Sequence, residues 1–332
     1  MFQPSFFSIL KTAFYMNHRV DYNRRNYADP MVLSVVIPTF NRADILKECL
    51  AALLKQDLPA QDFEVIVVDD GSTDETKKVL EKYAAKHRNF RFFNQKNQGQ
   101  GIARNLGIEH AKGNIIVLIG DDIIVKENFL SEHLRYHLRH AKENEAVLGL
   151  TLWHPRLHVT PFMKWLTNGS SVFGRFGGHQ FAYEKLEDKE EADYNFFYTS
   201  NISLKRMLLD KYPFDPSFSG YGWEDIELGY RLHLREKLRL YYNKEAIGYH
   251  DHVMTEASLA DRMRNIGKSA WVFHKRYPEL GKVPGTFKKI MFKILSFGLF
   301  IKVFKFLSRD FYYYSLSKKY FLEGLAEGSE VK

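Results

Sequence analysis

Adjacent aspartates, Asp121 and Asp122, follow the apolar run 115–119. Two carboxylates at the end of a strand can hold a divalent cation and leave positions open for phosphate oxygens, where the cation would stabilise charge on a departing phosphate. An acidic turn has the same spelling, so this pair alone leaves both readings open. A second pair, Asp69 and Asp70, ends another apolar run at 63–68. A carboxylate there can accept hydrogen bonds from a base or a ribose. A third, Glu224 and Asp225, opens a strongly helical stretch after Trp223. Asp225 could serve as a general base toward an attacking hydroxyl, or only as a first-turn acid favoured by the helix dipole.

The elements that must position these acids are legible as alternating strands and helices. The β-branched run 33–37 ends at Pro38, and 63–68 ends at Asp69-Asp70-Gly71. Between them Ile45, Leu46, Cys49, Leu50, Leu53 and Leu54 recur at helical spacing, so strand, helix and strand are expected with a right-handed crossover. Ser72 and Glu75 fit a capping box and predict a helix running to about Lys86. A short strand at 90–93, a helix over 101–111 stopped at Gly113, and the strand 115–119 complete the pattern. In an open α/β sheet, ligands sit beyond the carboxyl ends of the strands. The segments 38–42, 69–72 and 120–122 all fall there. From about Val147 the pattern is less regular, with a Gly- and aromatic-rich loop at 167–178 and an acidic stretch at 184–193.

The 332 residues suffice for one large α/β domain with an appendage, or for two modest domains. The single cysteine, Cys49, reads as core on an apolar helix face, which excludes a disulfide scaffold and suits the cytosol. The apolar patch at 6–10 is too short for a signal-peptide core, so no export is expected. A net charge of +8 and a pI near 9.2 favour an anionic partner. Lysines 288, 289, 293, 302, 305, 318 and 319 are interleaved with Phe, Leu, Ile and Tyr, and Asp310 is the only acid between Lys282 and Lys319. This stretch suits docking on an anionic membrane surface over about 287–321, and its lysines interrupt it too often to span. The same aromatics could instead close the catalytic domain. No spacing of a known nucleic-acid module is present, and no nucleic-acid partner is expected.

The segments Val35-Val36-Ile37-Pro38-Thr39-Phe40-Asn41-Arg42, Val67-Val68-Asp69-Asp70-Gly71-Ser72-Thr73-Asp74 and Gly120-Asp121-Asp122, in that order, resemble the successive signatures of family-2 glycosyltransferases. Gly220-Tyr221-Gly222-Trp223-Glu224-Asp225 resembles the acceptor-side motif of the same family, and the motifs span about two thirds of the chain, from Leu33 to His252. The resemblance implies an α/β GT-A fold, a Rossmann-like, mixed and mainly parallel sheet flanked by helices, here with a C-terminal amphipathic helical appendage. Residues 1–30 would be an N-terminal extension, 31–150 the nucleotide-sugar half, 151–280 the acceptor half, and 281–332 a basic aromatic membrane-associating tail. The implied activity is inverting transfer from a nucleoside-diphosphate sugar, expected to be UDP-linked, to a saccharide or lipid-linked saccharide in cell-surface polysaccharide or glycolipid synthesis. Mn2+ or Mg2+ would assist, at the inner face of the cytoplasmic membrane.

By the same resemblance Pro38, Thr39 and Arg42 line the nucleotide pocket, Asp70 binds the base, and Arg104 and Asp121 lie near the donor. Asp122 and His250 hold the metal. Asp225 is the base with Glu224 beside it, and Trp223 and Asn201 face the acceptor. Gly120 stands where many relatives carry a further acid. A sugar nucleotidyltransferase would need a Gly-rich triphosphate loop, which 38–42 is not, and an inactive binding relative would have no need of Asp122 and Asp225.

Overall fold

Strands β1 (Leu33–Thr39), β2 (Phe63–Asp69) and β4 (Ile115–Ile119) are buried along their whole length, as parallel strands covered by helices on both faces must be. The structure, a computed structural model, describes residues 32–169, 181–218 and 222–330. The extension 1–30, most of the loop 167–178, and Gly220 and Tyr221 lie outside the described residues. The remaining strands are β3 (Phe90–Asn94), β5 (Ile123–Val125), β6 (Glu145–Trp153), β7 (Glu191–Ala192), β8 (Asn201–Lys205) and β9 (Arg239–His250). They form one nine-stranded sheet in the order β3-β2-β1-β4-β8-β6-β9-β5, with β7 paired to β9. The first four of these are parallel, β8 runs antiparallel to both neighbours, and β6 and β9 are parallel to each other.

Strand residues alternate between two helical layers, the period-2 consequence of the pleat. Val35, Ile37, Val65, Val67, Ile115 and Val117 meet the apolar stripes of α1 (Ala43–Leu53) and α2 (Thr76–Lys86), with Phe129, Leu130 and Leu134 of α4 (Phe129–Arg139). Val36, Ile66, Val68, Ile116 and Leu118 face the other way, onto α3 (Gln100–Glu109), the short α6 (Arg206–Lys211) and α7 (Glu224–Glu236). Cys49 is buried on α1, as its place on the apolar face requires.

The helix expected to open at Ser72 begins four positions later. Ser72 Oγ accepts from Asn41 N at 2.8 Å, and the carboxylate of Asp74 takes both Thr76 N (3.0 Å) and Ala43 N (3.1 Å). One aspartate therefore caps the starts of α1 and α2, because the β1–α1 loop draws the serine away.

The part of the chain from 145 onward joins the same sheet through β6, β8 and β9. Behind it, α5 (Pro161–Asn168), α8 (Leu259–Arg276) and α11 (Arg309–Glu330) share a third apolar cluster with Trp165, Met263, Tyr313 and Phe321. The tail expected to act as one membrane-facing segment is thus divided. α11 packs along α8, with Arg264–Glu323 at 2.9 Å and Lys268–Glu327 at 2.6 Å flanking the contact. The shorter α9 (Thr286–Leu295) buries only Phe292, and α10 (Gly298–Leu307) buries nothing. No described helix is long and apolar enough to cross a membrane.

Gly324 of α11 lies against the Arg264 carbonyl, and a Cβ there would overlap that oxygen. Gly324→Val should therefore force the two helices apart and destabilise the fold by about 3 kcal/mol, at the upper end of overpacking costs. Thermal unfolding checks this, and an unchanged midpoint would show that the contact does not support the fold.

Candidate active site

The parallel register sets Thr39 beside Asp69 and brings the ends of β1, β2 and β4 to one edge. There Thr39 Oγ1 donates to Asp121 Oδ2 at 2.7 Å. Arg42 reaches across from the start of α1 and places Nη1 3.1 Å from Asp121 Oδ1 and 2.5 Å from Asp122 Oδ2. Burial works against the Arg42 charge, but the two carboxylates override it and raise its pKa. Asp121 is pushed up to about 6 by burial and by the adjacent Asp122. Asp122 goes the other way: burial opposes its ionisation, and His250 and Arg42 outweigh that cost.

His250 ends β9, with Nε2 3.5 Å from Asp122 Oδ2. Burial lowers its pKa and so favours the neutral ring, against the opposing pull of the Asp122 carboxylate. Its Nδ1 is buried without a hydrogen-bond partner among the described residues, and Trp153 and Phe181 meet the ring edge-on at 5.1 and 5.2 Å. Among the described residues no three His, Cys, Asp or Glu side chains gather as a complete metal cage. Asp122 and His250 nonetheless offer the right donor chemistry, an ionised carboxylate and a neutral imidazole. Two protein donors are enough where substrate phosphates and water supply the rest of the coordination shell.

Asp70 uses its carboxylate to shape the next loop. It accepts from Gln95 Nε2 (2.7 Å), Gln98 N (2.9 Å) and Gly99 N (2.9 Å). Three of its roughly four lone-pair positions are thereby occupied. Gly99 immediately precedes α3, whose first turn carries Gln100 and, one turn on, Arg104.

The second carboxylate pair sits at the start of α7. Trp223 caps that helix in the left-handed region at φ 71°, a conformation non-glycine residues seldom adopt. Its indole N–H donates to Ile266 O at 3.1 Å, and its ring packs on Phe273. Glu224 is buried and fully engaged: it accepts from Gln100 Nε2 and Gly222 N and pairs with Arg104 Nη1 at 3.5 Å. Among the described residues, the Asp225 carboxylate accepts from Ile226 N at 2.8 Å. Burial and the neighbouring Glu224 push its pKa up to about 7. Arg104, buried over the Phe214 ring, lies within electrostatic reach of Glu224, Asp225 and Asp121. It links the two acidic clusters.

One cavity of about 770 Å³ is lined by Pro38, Thr39, Arg42, Asp70, Arg104, Asp121, Asp122, Trp223, Glu224, Asp225 and His250. Eleven residues singled out in the sequence therefore meet in one place. Asn201 does not. It is fully buried at the head of β8, where Nδ2 donates to Leu150 O (3.1 Å) and Ala246 O (2.9 Å) and Oδ1 meets His133 Nε2 at 3.0 Å. It bridges β6, β9 and α4 and is not part of the cleft lining. Gly149 is the reason it fits, since any Cβ there would collide with the Asn201 amide.

The cleft also contains residues that sequence reasoning passed over, among them Gln100, Tyr198, Met254, Ile266 and Lys282. Gln100 had a usable signal, its i,i+4 spacing from Arg104. Lys282 had none, because its neighbours are remote in sequence: Nζ lies 4.8 Å from the Trp223 ring and donates to Asn195 Oδ1 at 3.2 Å.

This architecture is the GT-A fold. A mannosyltransferase from Pyrobaculum calidifontis, solved with GDP-Man and Mn2+, superposes with a TM-score of 0.60 at 16% identity, over 98% of this chain and 96% of that one. TarS of S. aureus gives 0.51 at 18% identity, over 91% and 92%. Residues 34–156 match the model of glycosyl transferase family 2. Validoxylamine A glucosyltransferase of Streptomyces hygroscopicus subsp. jinggangensis is 30% identical over 272 residues, 75% of this chain and 62% of that protein. Chondroitin synthase of Escherichia coli is 26% identical over 74% of this chain and 38% of its own length. The chain spans 62% and 57% of the two Streptomyces glucosyltransferases it matches.

Asn201→Ala would remove the amide that the Leu150 and Ala246 carbonyls and His133 Nε2 meet in the sheet, at a cost of about 2 to 3 kcal/mol. Chemical denaturation of the purified variant measures the loss. Undiminished stability would contradict the structural assignment.

Proposed function

We propose that this chain is an inverting glycosyltransferase, moving a hexose from a nucleoside-diphosphate donor, UDP-linked on the sequence reading, to a hydroxyl of a saccharide or lipid-linked saccharide. The observation that carries this reading is one cleft holding two carboxylates in different settings: Asp122 against Arg42 and His250, and Asp225 at the start of α7, where burial and Glu224 push its pKa up to about 7. A base with a pKa near the working pH combines a usable deprotonated fraction with real proton affinity. Relatives named as glucosyltransferases support a hexose donor.

In this mechanism the acceptor oxygen gives its proton to Asp225 as it attacks the anomeric carbon. The bond from that carbon to the diphosphate oxygen breaks on the opposite face, which inverts the configuration. Glu224 positions rather than reacts, since its carboxylate is engaged by Arg104, Gln100 and Gly222. Arg42 and Arg104 supply fixed positive charge beside the departing diphosphate, worth more in a buried site than in water. Asp122 and His250 would hold a Mn2+ or Mg2+ ion, which when bound neutralises charge developing on the leaving phosphate.

Asp122→Ala should unfold like the parent protein, because a loop carboxylate at a strand end carries little packing. It should lose the manganese-dependent part of nucleoside-diphosphate binding in calorimetric titration. Binding that still strengthens with manganese would remove Asp122 from the metal site.

Asp225→Asn should leave nucleotide affinity unchanged and lower turnover by about 10²-fold or more, the usual loss for a general base. Since Asp225 works deprotonated, the parent rate should rise with pH and level off above about 7. Glu224→Gln removes the neighbouring negative charge and leaves Arg104 less compensated. Both changes lower the Asp225 pKa, so the acidic limb should move to lower pH. A limb that moves upward or stays fixed would show that another group titrates.

A further inference from the structure

Ten of the fifteen exposed large hydrophobic side chains among the described residues fall between Phe287 and Leu307. Phe287 is 84% exposed, Phe306 89% and Leu307 75%. A patch this concentrated marks an interaction surface rather than ordinary surface scatter. From Thr286 to Arg309 the chain contains no acid, while Lys288, Lys289, Lys293, Lys302 and Lys305 are interleaved with the apolar side chains. The neighbouring α11 does not share this character. It is committed to α8, and α9 is fastened to it by Phe292, which packs near Tyr314 and under the Lys318 ammonium.

We infer that α9 and α10 together form the docking surface of this protein for an anionic lipid bilayer, and that α11 is excluded from it. The charge pattern selects this occupant. A second copy docking through the same patch would bring ten lysines together with no carboxylate among them, which a self-complementary interface does not tolerate. A bilayer carrying anionic headgroups accepts both halves of the pattern, aromatic and aliphatic side chains into the interface and lysines among the phosphates. Ten-residue helices extend only about 15 Å, half a hydrocarbon core, so they lie on the surface.

The surface also adjoins the cleft. Lys282 lines the cavity, α9 begins at Thr286, and the four residue steps between them span at most about 14 Å. An acceptor presented at the headgroup level would therefore meet the cleft at the Trp223 and Lys282 side.

Flotation of the full chain with vesicles tests this directly. It should float with vesicles of phosphatidylcholine mixed with phosphatidylglycerol, remain behind with phosphatidylcholine alone, and release as ionic strength rises. The triple variant Phe287→Ser, Phe297→Ser, Phe306→Ser should bind the mixed vesicles at least about ten-fold more weakly. Its thermal unfolding and nucleotide affinity should match the parent, because all three side chains are exposed. Lys288→Glu, Lys289→Glu, Lys293→Glu should lose the preference for phosphatidylglycerol. Equal flotation of parent and serine variant, or none by the parent, would overturn the assignment. So would a concentration-dependent dimer in sedimentation velocity that the serine variant lacks, since the patch would then be a self-interface.

Discussion

Two carboxylates on successive residues, both buried, cannot stay ionised together without a fixed cation nearby. Asp121 and Asp122 pose that problem at the end of β4, and the surrounding fold is arranged to solve it. β1 must lie next to β4 so that Thr39 can donate to Asp121 and Arg42 can bridge the pair. β9 must end beside them so that His250 faces Asp122 and Asp251 N can donate to the Asp122 carbonyl. Arg156 completes the clasp, pairing with Asp251 and, at 2.6 Å, with Glu48 on α1.

The second acidic pair is handled by division of labour. Glu224 and Asp225 are adjacent on one helix turn, yet among the described residues one is wrapped by Arg104, Gln100 and Gly222 while the other accepts from the Ile226 N–H. Separation of two carboxylates by environment is how one site obtains both a structural anion and a group of base-like pKa. Arg104 makes the separation depend on the donor side, since it belongs to α3, just after the loop that Asp70 organises. Disturbance at Asp70 would therefore reach Asp225 through Gly99, α3 and Arg104.

The donor side of this arrangement was legible in the sequence because its signals are local. Apolar runs ending in Pro38, Asp69 and Asp121 fix three strand ends, and the carboxyl-edge rule places them together. His250 and Asp225 were set beside Asp122 by the resemblance of their motifs to the glycosyltransferase signatures. What escaped notice depends on partners far apart in the chain. Asn201 looks like a polar residue beside a binding loop, and only the bulge between Gly149 and Leu150 turns its amide into a strut. Ser72 matches a cap signature, but Asn41 from another loop claims its hydroxyl. Lys282 became a cleft residue only when Trp223 and Asn195 folded against it.

The C-terminal aromatics show the same limit in a form that bears on the cleft itself. Composition made them one segment, yet Tyr313, Phe321 and Leu325 turn inward while Phe287, Phe297 and Phe306 turn outward. The inward set has a purpose visible in α8. Ile266 accepts the Trp223 indole N–H through its carbonyl, and the next residue, Gly267, is the surface on which α11 seats close to Phe321. One turn of α8 therefore holds the cleft tryptophan on one side and the last helix on the other. Trp223 sits in a left-handed conformation that its own sequence disfavours, so it depends on such external support. The last helix backs α8 at Gly267, one residue from that carbonyl, so α11 is an integral part of the fold that holds the cleft.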